Sequence, residues 1–401
     1  MGRICGDLPE ELLEEIFSWV PPRSLFRFKC VSKSWYALIN SLAKNPEFVS
    51  KHLSNIIDKK NILSSATCLL FCSSVRTFWP PQKRELVRHK MFTSLTISHD
   101  DNERDHLNYV SEVFHIDVPL NALHISIAKR SHCNGLICLL TAFHEVILCN
   151  PAIKEYRTLP ESSLTYDGFM SLGLGFNYDS KAKDYKVVKF GYDVRQRSRV
   201  ESVKTRAEVY SMRNDTWREI GIHFNYDRSP FCHGEVFSKG VFYWCVETPE
   251  YVIISFSMFE EVFHSIPLPN HFPVKRRGGR FIKLVVWNES VALFSCHCER
   301  EFTHTFEVWV MGDYASGVKG SCSWIKKLVI GPLVDIRYPL IFLKHDELLM
   351  KATDGNLMLY NLCSQMLRKI TLTQVAFKDP CLDFSYIKSL VSVQGGSQYH
   401  L

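Results

Sequence analysis

The chain has 401 residues, of which 46% are hydrophobic and 22% charged, with a net charge of +6 and 14 cysteines. That length accommodates more than one core, and these ordinary fractions exclude a wholly disordered chain. No apolar run reaches the roughly 18 to 20 residues that span a bilayer. The opening MGRICGDLPEELLEE turns acidic before an apolar leader core could form, so a cytoplasmic or nuclear protein with reduced thiols and no membrane contact is expected.

The first elements are three short helices between Asp7 and Leu42. Asp7 is placed to cap the first, with Glu10 three residues on as in a capping box and Pro9 in the first turn. Leu8, Leu12, Leu13, Ile16 and Val20 recur at helical spacing, with Glu10, Glu11, Glu14 and Glu15 on the other side. Pro21 and Pro22 stop this helix, because neither has an N–H and each disfavours helical geometry just before it. A second turn over Arg23 to Cys30 brings Leu25 and Phe28 together. A third helix over Val31 to Leu42 aligns Val31, Trp35, Leu38 and Ile39, with Lys29, Lys33 and Ser34 outward. Three helices in roughly 35 residues carry more apolar side chains than so small a core can bury, so some should face a partner.

LPEELLEEIFSWVPPRSLFRFKCVSKSWYALI closely resembles the F-box, the helical motif by which substrate receptors dock onto the Skp-type adaptor of cullin-based ubiquitin ligases. The matching positions are Leu8 and Pro9, Ile16, Val20 and Pro21, Ser24 and Leu25, Arg27 and Phe28, Cys30 and Val31, Lys33, Trp35, Leu38 and Ile39, then Asn45 to Phe48. Phe17 and Trp19 are bulkier than the residues usual there. The resemblance implies an adaptor-binding set of Leu8, Pro9, Leu12, Ile16, Val20, Pro21, Leu25, Phe28, Val31, Lys33, Trp35, Leu38 and Ile39.

From Glu47 to Ile62 the sequence reads as a helical connector, and from Thr67 it changes to short runs such as GLICLL, YKVVKFGY, GVFYWCV and LMLYNL, rich in β-branched and aromatic residues. Five segments share one form, a strand, a polar turn and then a large apolar anchor: Tyr156, Trp217, Phe263, Trp324 and Leu367, separated by 61, 46, 61 and 43 residues. That period suits four-stranded propeller blades with loop insertions, a two-sheet sandwich being the alternative. The anchors are expected in the core, and the glycine-bearing stretches Ser131 to Ile137, Ser238 to Trp244 and Asp354 to Leu357 as inner hairpins. The fold class expected is an α+β multidomain chain, a three-helix F-box followed by an all-β, propeller-like domain. Its expected divisions are a head at 1–48, a connector at 49–64, a β domain at 65–392 and a flexible tail at 393–401.

The β region resembles the F-box-associated, kelch-like domain of plant F-box proteins, and within it the S-locus F-box group. SHCNGLICLL, VILCNPAIKEYRTLP, AEVYSMRNDTWREI and DELLMKATDGNLMLYNL are among the stretches that carry this. The resemblance implies a non-catalytic receptor that binds the adaptor, and through it cullin, and directs a protein client to ubiquitination and proteasomal degradation. Within the S-locus group that client would be a non-self pistil ribonuclease captured in pollen. Such ribonucleases are basic, so a receptor of net charge +6 would need a locally acidic face, for which Asp100 to Asp105, Glu247 to Glu250, and Glu260 with Glu261 are candidates.

The alternatives are a receptor for an unrelated client, a scaffold propeller with no ligase role, and a propeller enzyme. No HExxH, GxSxG or P-loop pattern is present, and Gly173-Leu174-Gly175-Phe176 is too short for a nucleotide loop. Cys296-His297-Cys298 and the Cys68 and Cys72 pair do not match zinc-ligand spacing, so neither metal nor cofactor is expected. Eleven Lys or Arg against five acids between Lys181 and Arg218, and Lys275, Arg276, Arg277 and Arg280, form basic clusters without a nucleic-acid-binding module. Client specificity is expected in the connections Phe78 to Asp105, Asp193 to Arg206, Asn225 to His233 and Phe272 to Arg280.

Overall fold

The structure, a computed structural model, describes residues 8–62, 67–78, 86–99, 107–114, 127–165, 168–194, 203–226, 230–248, 251–270, 272, 282–300, 302–312, 323–343, 346–370 and 381–394. Four helices come first: α1 (Glu10–Ser18), α2 (Pro22–Phe28), α3 (Lys33–Leu42) and α4 (Pro46–Ile62). Pro9, not Asp7, stands at the α1 N-cap, where no side chain caps the helix, and Asp7 lies outside the described residues. Pro22 occupies the first turn of α2, earlier than expected, since a missing N–H costs nothing there. α3 begins two residues later than Val31 because Ser32 caps it, its Oγ accepting from the Trp35 N–H at 3.1 Å.

Among the described residues the strands after α4 form six antiparallel sheets. The first blade contains β1 (Thr67–Phe78), β2 (Leu86–His99) and β3 (Leu107–Phe114). The second is β4 (Ile127–Cys133), β5 (Leu136–Thr141), β6 (Val146–Asn150) and β7 (Glu155–Thr158). The third is β8 (Phe169–Asp179), β9 (Asp184–Asp193), β10 (Val203–Ser211) and β11 (Thr216–Ile220), with β12 (Asn225–Tyr226) appended to β10. The fourth is β13 (Phe231–Ser238), β14 (Val241–Glu247), β15 (Tyr251–Ser257) and β16 (Val262–Pro267), and the fifth β17 (Ile282–Trp287), β18 (Ser290–Arg300), β19 (Thr303–Met311) and β20 (Trp324–Val334). The sixth is β21 (Ile336–Phe342), β22 (Glu347–Ala352), β23 (Leu357–Asn361) and β24 (Leu367–Ile370). Finally β25 (Cys381–Ser385) returns to pair with β1 and completes the first blade.

The innermost strands tie the blades into a ring. Ser131 Oγ accepts from the Phe176 N–H at 3.0 Å, Ser238 Oγ donates to the Glu289 carbonyl at 2.6 Å, and Lys283 Nζ donates to the Leu340 carbonyl at 2.8 Å. Leu69, Leu95 and Ile97 of the first blade share a core with Leu349, Leu359 and Ile370 of the sixth, which closes the circle. Gly175, in the interior of β8, sits where a Cβ would press on Phe242 and Val188 at 2.8 Å, so this glycine serves close blade packing rather than a phosphate loop.

The five sequence repeats are the last two strands of the second to sixth blades. In four of them a residue in the left-handed region stands two positions before the anchor: Lys154 (φ 57), Asp215 (φ 54), Glu261 (φ 56) and Gln365 (φ 57). Four residues earlier an Asn or Ser (Asn150, Ser211, Ser257, Asn361) accepts a backbone N–H with its side chain, the local bond that makes these residue types turn formers. The anchors are not core throughout. Phe263 is buried, Trp217 and Trp324 are half-buried and Tyr156 is exposed. Trp217 and Trp324 compensate by donating Nε1 to the carbonyls of Pro160 and Pro267 on the preceding blade, at 2.8 and 3.0 Å. Ser131 to Ile137 and Ser238 to Trp244 are inner hairpins as expected. Asp354 to Leu357 joins β22 to β23, because β21 already fills the innermost place.

Candidate functional site

The alternation of strands gives the ring two ends. Strands one and two, and three and four, of each blade join at one end; strands two and three, and successive blades, join at the other. α4 leads into β1, the second strand of its blade, so the helical head is delivered to the first of these ends.

Within the head, Phe17 is buried and anchors an aromatic core, edge-on to Trp35 at 5.0 Å and 6.3 Å from Phe28. The bulk at position 17 therefore fills the space between three helices. Leu25 and Ile39 are fully buried beneath the same rings. α4 locks the unit from the side. His52 Nε2 donates to the Val20 carbonyl at 2.8 Å, Asn55 Nδ2 donates to Ser18 Oγ at 2.7 Å, and Lys51 pairs with Glu15. His52 is fully buried, and desolvation pulls its pKa below the usual imidazole value against the opposing Val20 bond.

With that interior satisfied, one stripe of α1 is left bare. Leu12 and Ile16, four residues apart on one face of α1, are 51% and 49% exposed, and Leu8, just ahead of the Pro9 N-cap, is 43% exposed. Val31 is 61% exposed, and Trp19 and Tyr36 are also open. Of the thirteen residues expected to meet a partner, Leu8, Pro9, Leu12, Ile16, Pro21, Val31 and Lys33 lie on the surface, while Val20, Phe28, Trp35 and Leu38 are half-buried. Leu25 and Ile39 have no surface to offer and support the face from within. Helical spacing grouped them with the exposed residues because periodicity marks an apolar face without saying which side is inside. Trp19 and Tyr36, absent from the expected set, were legible only as large aromatics one step off the inner stripe.

At the far end of the ring a second group of apolar side chains is open to solvent: Phe143, Met170, Phe231, Phe302 and Val334, each at a strand end or connection on that side. Phe231 lies 5.1 Å from the His233 ring, which bonds Glu247 and sits 5.3 Å from Tyr251. Of the acidic residues named for a basic client, Glu260 is exposed and two others are engaged within the ring. Glu247 is engaged by His233, and Glu261 accepts from Lys186 at 2.8 Å and pairs with Arg218, joining the third and fourth blades. Asp100 to Asp105, the basic cluster from Lys275 to Arg280 and much of the four connections expected to carry specificity lie outside the described residues.

The most buried ionic group serves the fold. Lys189 Nζ donates to Ser162 Oγ at 2.6 Å and lies 5.3 Å from the Trp217 ring, while Glu208 accepts from the Ser162 and Ser163 hydroxyls. Burial lowers the Lys189 pKa to about 8, opposed by the Glu208 charge, and the cluster fastens the connection between the second and third blades. Among the described residues no three side chains of metal-ligating type converge, and no helix is long and apolar enough to cross a membrane.

Residues 6–46 match the F-box domain, and residues 86–393 match the F-box associated beta propeller domain. An F-box protein of Arabidopsis thaliana is 27% identical over 350 residues, covering 85% of this chain and 84% of its own length. An F-box/kelch-repeat protein of the same plant is 28% identical over 367 residues, with 89% and 88% covered. Among solved structures, the Dos1 propeller aligns with a TM-score of 0.40 at 9% identity over 79% of this chain and 76% of that one.

Proposed function

The chain belongs to the family of proteins that join an F-box to an F-box associated beta propeller domain, and from that premise we propose that it is the substrate-recognition subunit of a Skp, cullin and F-box ubiquitin ligase. The observation that carries this reading is the bare stripe of Leu8, Leu12 and Ile16 on a head whose own core is already closed. A patch of large aliphatic side chains on an otherwise satisfied three-helix unit is what a partner of matching apolar surface would cover. Pro9, Val31, Trp19 and Tyr36 extend the contact, and Phe28, Trp35, Leu25 and Ile39 hold its shape.

The far end of the propeller is the client side of this proposal, since the apolar rim from Phe143 to Val334 faces away from the end that receives the head. No group in the chain is asked to do acid–base chemistry. The receptor raises the effective concentration of a client lysine near the ubiquitin-charged enzyme, and proximity sets the rate. The narrower reading, an S-locus receptor for basic pistil ribonucleases, rests on the sequence resemblance alone, and the engagement of Glu247 and Glu261 weakens it.

Reconstitution with purified Skp-type adaptor and the cullin N-terminal region tests the proposal. A stable ternary complex is expected, and proteins recovered with the receptor from its native tissue should gain ubiquitin when the proteasome is blocked. Failure of the full chain to bind the adaptor would overturn it.

A further inference from the structure

The residues after β25, from Tyr386 to Gln394, have no regular secondary structure, yet Ser389, Leu390, Val391 and Val393 are almost wholly buried. Irregular chain is normally kept at the surface because its backbone groups need water. Here they are met by specific partners. The Tyr386 N–H donates to the Cys68 carbonyl at 2.8 Å. Asn150, itself fully buried, donates Nδ2 to the Ser389 and Val391 carbonyls at 3.1 and 2.7 Å. Ser389 Oγ donates to the Asn134 carbonyl at 2.6 Å, and the Val393 N–H and Ser392 Oγ both donate to Glu155 Oε2. Asn134, Asn150 and Glu155 lie at the turns of the second blade, at the end of the ring to which the head is delivered. Gly135, with φ 83, leaves room for the segment, for a Cβ there would collide with Ser389 and the Ile387 carbonyl.

The apolar side chains of this segment belong to one continuous core with both halves of the molecule. Leu390, Val391 and Val393 share it with Phe17, Leu25, Ile39, Leu42, Phe48, Val49 and Leu53 of the head and with Leu136, Leu148 and Phe176 of the ring. We propose that residues 386–394 are the joint that fixes the head to the propeller, so that the adaptor-facing stripe and the far-end rim are held at a set separation and angle. β25 closes the ring before this segment begins, which leaves the segment free to serve the head. The use of that rigidity rests on the ligase reading above; the joint itself does not.

The experiment compares the full chain, a chain ending at Ser385 and full-length Asn150→Ala by amide hydrogen exchange and small-angle scattering. Losing both Asn150 donations leaves two buried carbonyls unpaired, so exchange in α1 to α4 should quicken about tenfold. The radius of gyration should rise, while exchange in the third to sixth blades stays as in the parent. Unchanged head protection in both variants would overturn the proposal. If the shortened chain unfolds throughout, Asn150→Ala decides: acceleration in the head, with that in the ring limited to the second blade whose turn Asn150 also holds, supports the joint, and equal acceleration in every blade refutes it. Purified adaptor should bind Asn150→Ala as tightly as the parent. Loss of binding by the parent itself would sink the ligase reading and leave the exchange result standing.

Discussion

Replacing Leu8, Leu12 and Ile16 together by alanine removes the exposed stripe of α1 and leaves the interior of the head untouched. Each side chain has about half its surface in water in the free chain. Full burial of a Leu or Ile is worth roughly 2 kcal/mol, so covering the exposed half is worth about 1 kcal/mol each. Three such losses amount to roughly 3 kcal/mol, a rise in the adaptor Kd on the order of a hundredfold. Because alanine favours helix and the stripe faces solvent, the melting temperature should stay within a few degrees of the parent. Titration calorimetry with purified adaptor measures the first quantity and differential scanning fluorimetry the second. A Kd within threefold of the parent in a folded triple variant would refute the docking argument. Leu25→Ala provides the contrast, since a cavity under the aromatic core should cost about 2 to 5 kcal/mol of stability before it affects binding.

Three further outcomes follow from the described contacts. Burial lowers the His52 pKa in the fold. The unfolded chain then binds the extra proton first, so head stability is complete above the unfolded value of about 6.5 and falls as pH drops toward the lowered folded value. Chemical denaturation between pH 7.5 and 5 should show that decline, and His52→Gln should flatten it. Trp217→Phe removes the bond to the Pro160 carbonyl and should cost about 1 kcal/mol in urea melts with adaptor affinity unchanged. Asp215→Gly relieves a left-handed backbone position but gives up the Tyr210 hydroxyl bond at 2.6 Å and the Arg157 pair. A net loss of stability by calorimetry is expected, since the strain relieved is about 1 kcal/mol and the bond lost is charged.

How far the sequence reaches depends on whether the deciding interaction is local. In the second, third, fourth and sixth blades the turn that precedes the outer strand is made by residues within six positions of one another, and so Asn150 to Tyr156, Ser211 to Trp217 and Ser257 to Phe263 announce a repeat without any fold in view. The closure of the first blade carried no such signal, because its inner strand is Cys381–Ser385, about three hundred residues from the partner strand β1. A pairing of that separation leaves no trace in local pattern. The site divides the same way. Spacing along one helix marks Leu12 and Ile16 as apolar together with Leu13 and Val20, but which of them face inward, like the burial of Leu25 and Ile39, is a property of three helices packed around Phe17 and could not be read from it. The C-terminal segment is the extreme case. Its sequence, YIKSLVSVQ, runs across the expected boundary between the β domain and a flexible tail from 393, yet Val393 is buried and held by Glu155 as Val391 is by Asn150. A stretch without periodicity is free chain only when no distant side chain satisfies its backbone, and that condition is set by tertiary structure alone.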